Sequence, residues 1–322
     1  MSHYITLPID ANGVIDPDEL IEDIIQRSMS AAFGTTNVFI YSHGWWTDAN
    51  SALKQYNIAT TDFIYLIRQL GLQVQNLTMY PFLIGVHWPS AVEDAPEGIA
   101  KLLDPLTFYT MEKRADDIGE EGVYAVLRLI MKYSPAGTNV RITMFGHSFG
   151  CKVVCAALQK LAANNIAIPV NVSFAIVLLQ AAFSTTRLDK GELYGDVVPV
   201  LGNRLRVLIS RSDVDYALRN AYPLAQMIDI FSRDKEATTA LGFTGPSAAT
   251  LQSFQNPLQL DVKWGDRFLG RVGIARPTDL LVANLTPLQT DPRNTYNGGL
   301  AGHHSDIFRD EIYSLMGWFM FG

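Results

Sequence analysis

A strand that turns straight into a helix is the feature that most constrains this chain. It runs from Val140-Arg-Ile-Thr-Met-Phe-Gly-His-Ser-Phe-Gly150 into Cys151-Lys-Val-Val-Cys-Ala-Ala-Leu-Gln-Lys160. The turn is Gly146-His147-Ser148-Phe149-Gly150, a G-x-S-x-G between an apolar strand and an amphipathic helix. So sharp a turn forces its central residue into a strained backbone, and the flanking glycines remove the Cβ atoms that would clash. Ser148 is expected to stand at the carboxyl end of a sheet as a nucleophile. The amide of Phe149, the first free donor of the helix, would point the same way. The blander reading is a tight strand-to-helix turn with a serine cap.

Around this turn the chain alternates apolar strands with helical patterns. Strands are expected at Asn37-Val-Phe-Ile-Tyr41, Met79 to Trp88, Val172 to Leu179, Leu205 to Ser210 and Leu280 to Leu285. Helices are expected from Asp16-Pro17, over Ser51–Leu70, Lys113–Tyr133 and 151–163, with a terminal amphipathic helix over Glu311–Met320. This predicts an α/β fold, a doubly wound, mostly parallel sheet flanked by helices, as one domain over residues 1–322. Residues 219–277 read as a cap or excursion after the acid strand, with a hairpin at Leu258–Gly270, and 90–110 as a small insertion. Asn12-Gly13 reads as the turn of an N-terminal hairpin.

Composition narrows the function classes. Of 322 residues, 48% are hydrophobic and 18% charged, enough apolar material for a large core. The net charge is −7 and Lys and Arg are scattered singly, which argues against a nucleic-acid partner. No apolar run reaches the roughly 18 residues of a membrane span, and the N-terminus shows no secretory pattern, so a cytoplasmic location is expected. The cysteines, Cys151 and Cys155, fall on one helix face and read as packed thiols.

A serine hydroxyl needs a base, a group to orient that base, and donors for the oxyanion. After such a turn the acid and then the histidine follow in chain order. After Ser148 the histidines are only His303 and His304, in Gly302-His-His-Ser-Asp306. His304 is favoured because Ser305-Asp306-Ile307 lead from it into the closing helix; His303 is the alternative. The His-His-Asp grouping can also be read as part of a metal site, but no ligand spacing supports this. The acid belongs just past Ser210, where Asp215 is favoured and Asp213 is the alternative. The second oxyanion donor is expected in His43-Gly44-Trp45-Trp46, which assigns the donors to the amides of Trp45 and Phe149. His43, Trp46, His147 and His87 are candidates for the wall of the substrate site, with His147 reading more readily as structural. Phe108, Tyr109, Tyr222 and Phe243 are candidates for an apolar pocket.

The set resembles α/β-hydrolase-fold serine hydrolases, in a lipase- or esterase-like branch with a strand followed by HGW, a WPS and a GHSxG. Here these are Val38-Phe-Ile-Tyr-Ser-His-Gly-Trp45, Trp88-Pro-Ser90 and Gly146-His-Ser-Phe-Gly150. Ser212-Asp-Val-Asp-Tyr-Ala-Leu218 matches that branch's Ser-x-x-Asp-x-Ala-Leu and favours Asp215. The resemblance covers about 37–218 and the His304 motif, not 219–300. It implies hydrolysis of a small-molecule carboxylic ester through an acyl-enzyme on a Ser148-His304-Asp215 triad, with no metal or organic cofactor. The alternatives are an acyltransferase and a non-catalytic protein that binds a small apolar ligand.

Overall fold

The structure is a computed structural model and describes residues 3–15, 18–30, 35–45, 47, 51–56, 81–90, 105–228, 239–268 and 278–321. Its strands are β1 (His3–Pro8), β2 (Asn37–Ser42), β3 (Pro81–His87), β4 (Val140–His147), β5 (Val172–Leu179), β6 (Leu205–Arg211), β7 (Pro257–Asp261) and β8 (Leu280–Asn284). They form one eight-stranded sheet in the order β1-β3-β2-β4-β5-β6-β8-β7. Every pairing in it is parallel. The expected strands are all present, and the sheet is wholly rather than mostly parallel.

The reason lies in burial on both faces. Parallel strands need long crossovers, which cover the sheet on each side, so central strands read as unbroken apolar runs. Alternate residues of each strand then enter opposite cores. Val38 and Ile40 of β2, with Ile142 and Met144 of β4, pack on one side. There they meet the helices α1 (Asp18–Ser28), α2 (Pro105–Asp117), α3 (Tyr124–Tyr133) and α4 (Gly150–Ala163). Phe39, Tyr41 and Phe145 face the other side, against α5 (Asp310–Phe321).

Three local expectations need correction. The terminal helix is not amphipathic, since Glu311 to Met320 are all buried; a helix apolar nearly all round lies inside. The N-terminal hairpin shrinks to a single bridge between Ile9 and Ile15. There the Asp10 carboxylate takes up the amides of Asn12 and Val14, so a side chain replaces ladder bonds. Leu258–Gly270 is not a hairpin over the part described, because β7 pairs in parallel with β8 as the exposed sheet edge.

Within 219–277, the described secondary structure is the end of the turn Ala217–Ala221, three short helices (Tyr222–Ile228, Leu241–Thr244, Ala248–Gln252) and the edge strand β7. Residues 229–238 and 269–277 lie outside the described residues, as do 91–104 of the expected insertion and 57–80 of the expected second helix and third strand. Helix α2 starts earlier than expected, with Pro105 as its first residue, where a missing N–H costs nothing. Among the described residues no helix is long and apolar enough to cross a membrane.

One buried charge joins α4 to α2. Lys152 is 1% exposed, and its ammonium lies 3.1 Å from Glu112 and 3.3 Å from Asp116. A buried cation is tolerated only with its counter-ions. Removing both carboxylates (Glu112→Gln with Asp116→Asn) is expected to cost about 3–5 kcal/mol, more than the near-isosteric Lys152→Met. Urea midpoints of the two variants check this, and equal losses would contradict it.

Candidate active site

Because all strands run one way, the loops bearing the candidate residues leave the sheet at one edge. Ser148 follows β4 with φ +54°, a left-handed backbone that a serine adopts only under constraint. The constraint is close packing of main chain. A Cβ at Gly150 would lie 2.2 Å from the Ser42 carbonyl oxygen, and one at Gly146 would lie 2.4 Å from the Gly150 backbone. The Ser148 amide donates to the Leu179 carbonyl at 3.1 Å, tying the turn to the end of β5. The amide of Phe149 has no acceptor among the described residues.

The turn after β2 packs directly on the serine. A Cβ at Gly44 would lie 2.9 Å from Ser148 Cβ, so only glycine lets this backbone approach. His43 sets the turn's orientation. Its Nδ1–H donates to the Gly44 carbonyl at 2.9 Å, its Nε2 accepts the Trp88 amide at 3.4 Å, and its ring stacks on Trp88. In a trans peptide the N–H opposes the C=O. With the Gly44 carbonyl turned toward the His43 ring, the Trp45 amide faces away from it. The Trp45 ring packs against Phe108 and Phe149, and Phe108 also meets Tyr222.

The loop bearing Asp215 and the loop bearing His304 meet. His304 Nδ1 and Asp215 Oδ2 are 2.7 Å apart, and Asp215 is 0% exposed. Asp215 Oδ1 accepts the Leu218 amide at 3.0 Å, and Oδ2 also accepts Gln180 Nε2 at 2.9 Å. The main chains of the two loops touch through a bridge between Asp215 and Gly302. Asp213 lies elsewhere, exposed and paired with Arg211. His303 turns to Asp306 at 2.9 Å rather than to Asp215. No hydrogen bond joins Ser148 Oγ to His304 among the described residues.

Of the expected wall residues, Trp46 lies outside the described residues. His43 is 0% exposed and serves the backbone, which corrects its assignment as a substrate contact. His147 is also buried, and its Nε2–H donates to the His304 carbonyl at 2.9 Å, so it too holds main chain rather than substrate. His87 is half-buried at the end of β3, and burial lowers its pKa. Among the described residues no group of three His, Cys, Asp or Glu is placed to hold a metal. Cys151 and Cys155 are free and buried, and burial pushes both thiol pKa values up.

Two glutamines were missed in the sequence. Gln289 takes Ser212 Oγ on its Oε1 at 2.5 Å and donates to the carbonyls of His303 and Asp306, linking acid loop to histidine loop. Gln180 does the same from the end of β5. For Gln180 the available signal was a polar residue directly after an apolar strand, at the sheet edge where ligand-facing loops leave; Gln289, at the end of the short helix Thr286–Gln289, carried none.

A family model described as an alpha/beta hydrolase of unknown function (DUF900) matches residues 35–229, more than half the chain. The match takes in β2, Ser148 and Asp215 and ends before His303 and His304. No curated protein matches the chain. The parallel sheet flanked by helices agrees with this family's fold.

The two buried histidines make stability depend on pH. Burial pushes His43 down to about 4 and His147 down to about 3, the latter with help from neighbouring His304. Unfolded histidine protonates near 6.5. Below that pH the unfolded chain therefore binds protons that the folded chain refuses, and stability falls as pH drops from about 6.5 toward 4. By pH 5 each contributes a loss on the order of 2 kcal/mol. Urea midpoints at pH 7.5 and 5.0 are expected to show this, with the difference reduced in His147→Gln. An unchanged difference in that variant would contradict the assignment.

Proposed function

The chain belongs to this alpha/beta hydrolase family, and we propose that it is a serine hydrolase cleaving a carboxylic ester through an acyl-enzyme. The observation that carries the reading is the 2.7 Å contact of His304 with a buried Asp215, on loops leaving the same sheet edge as the strained Ser148. In this mechanism Asp215 holds the imidazole with its proton on Nδ1, which leaves Nε2 as the base. As substrate binds, Ser148 Oγ gives its proton to His304 Nε2 and attacks the ester carbonyl. The tetrahedral oxyanion is held by the amides of Trp45 and Phe149, each worth about 3–4 kcal/mol. His304 then protonates the leaving alcohol, and water attacks the acyl-enzyme with His304 again as base.

The rest of the neighbourhood supports this reading. The contact of Gly44 with Ser148 puts the two donor-bearing turns side by side. The carboxylate is satisfied on both oxygens, so it has little freedom to rotate away from the histidine. We assign the apolar wall beside the Phe149 amide to Phe108, Tyr109 and Tyr222, where Tyr109 Oη also donates to the Ala225 carbonyl. In this proposal helix Tyr222–Ile228, the described start of the excursion at 219–277, acts as a cap on the acyl side.

The test is labelling by a fluorophosphonate probe with turnover of p-nitrophenyl esters. Ser148→Ala and His304→Ala are expected to abolish labelling and lower kcat/KM by about 10⁴-fold or more, with Asp215→Asn close behind. Labelling persists in His303→Ala and Asp213→Asn. A folded wild-type protein that neither labels nor turns over any ester of the panel would sink the proposal.

A further inference from the structure

We infer that Gln180 is a positioning residue that holds the acid and the histidine-bearing loop in one frame, an inference that rests on the triad proposed above. Gln180 follows β5 and is 0% exposed. With φ +44° it is one of three non-glycine residues in the left-handed region among those described, Ser148 being another. Its side-chain amide donates twice, to Asp215 Oδ2 at 2.9 Å and to the His303 carbonyl at 3.2 Å. Its own amide donates to Ser210 Oγ on β6 at 2.8 Å. The segment carrying Gly242 closes over it, where a Cβ would lie 2.4 Å from the Gln180 carbonyl carbon.

The chemistry settles which way the amide faces. Turned over, Oε1 would confront two acceptors, the Asp215 carboxylate and the His303 carbonyl. With nitrogen toward them, Oε1 is buried without a partner among the described residues. A residue kept for packing alone has no reason to bear both a left-handed backbone and an unpaired buried oxygen, because methionine fills similar space without the polar atoms. The two donated bonds give that reason. One is charge-assisted, to the oxygen that His304 also uses. The other holds the residue immediately before His304. Acid and base therefore cannot separate without breaking Gln180's bonds.

Gln180 touches the acid and the histidine loop rather than any substrate group, so its removal affects turnover and the titration of His304 more than binding. The titratable groups against His304 are Asp215 and the ring of His147, with the His303–Asp306 pair one residue away. We would compare Gln180→Met and Gln180→Glu with wild type in kcat and KM across pH. In parallel, the His304 imidazole would be titrated by NMR, assigned with His304→Ala. Gln180→Met is expected to lower kcat about tenfold with KM within about twofold. In Gln180→Glu the new carboxyl and Asp215 share one proton, so a neutral acid still donates to Asp215 Oδ2 and kcat stays within about threefold of wild type. A folded Gln180→Met with wild-type kcat and wild-type His304 titration would overturn the inference. Should wild type prove inactive, the triad reading fails separately. The NMR titration still decides, since a His304 that titrates in Gln180→Met as in wild type overturns the clamp and a displaced one supports it. If Gln180→Met does not fold, Gln180→Leu carries the same test.

Discussion

A carboxylate taken out of water must be met by donors that the protein brings to it, and Asp215 is where that demand falls. Its oxygens receive a backbone amide, a glutamine side chain and an imidazole, which come from the segments that follow β6, β5 and β8. Those three strands are neighbours in the sheet, so their loops emerge side by side at spacings of about 4.8 Å. Ser148 lies one strand further, at the end of β4. The histidine loop must therefore reach back across three strand spacings, about 14 Å, to approach it. It is held along the way by its carbonyls: His303 by Gln180 and Gln289, His304 by His147.

Two histidines beside this polar seam are kept uncharged. His43 and His147 are buried and held neutral, and each spends an N–H on a carbonyl that fixes a loop. One orients the turn bearing Gly44 and Trp45; the other holds His304. Strain gathers in the same place, with Ser148 and Gln180 both left-handed at adjacent strand ends. Each such residue costs about 1–3 kcal/mol, sustained by the packing of the sheet beneath.

That packing also explains where pattern reading went astray. The last helix carries Glu311, Tyr313 and Ser314 among its apolar residues and reads as two-faced. It lies across the sheet with all three buried, and Glu311 Oε1 and Ser314 Oγ take up the amides of Gly265 and Phe268. Leu258 to Val262 alternate as a hairpin strand would, yet partner choice belongs to β8, which leaves an edge open beside it. In both cases local periodicity is correct, and the neighbour that decides its meaning is distant in the chain.

What the sequence determined by itself is what depends on local backbone and short-range pattern. The turn at Gly146–Gly150 was legible because the pattern itself is short-range: Gly146 is demanded by the Gly150 backbone four residues on, although Gly150 answers to the end of β2. The apolar runs of β2, β4, β5, β6 and β8 announced a sheet covered on both faces. Chain order narrowed the proposed base to two adjacent histidines and the proposed acid to two aspartates. Only tertiary structure shows that His304 rather than His303 meets Asp215 rather than Asp213, because each pair lies within two residues and differs in the side chains it meets. The same holds for Gln180, Gln289 and the buried histidines, whose partners lie up to 157 residues away. A hydrogen bond to a distant carbonyl or carboxylate leaves no period in the chain, so the fold had to bring those groups together before their roles could be seen.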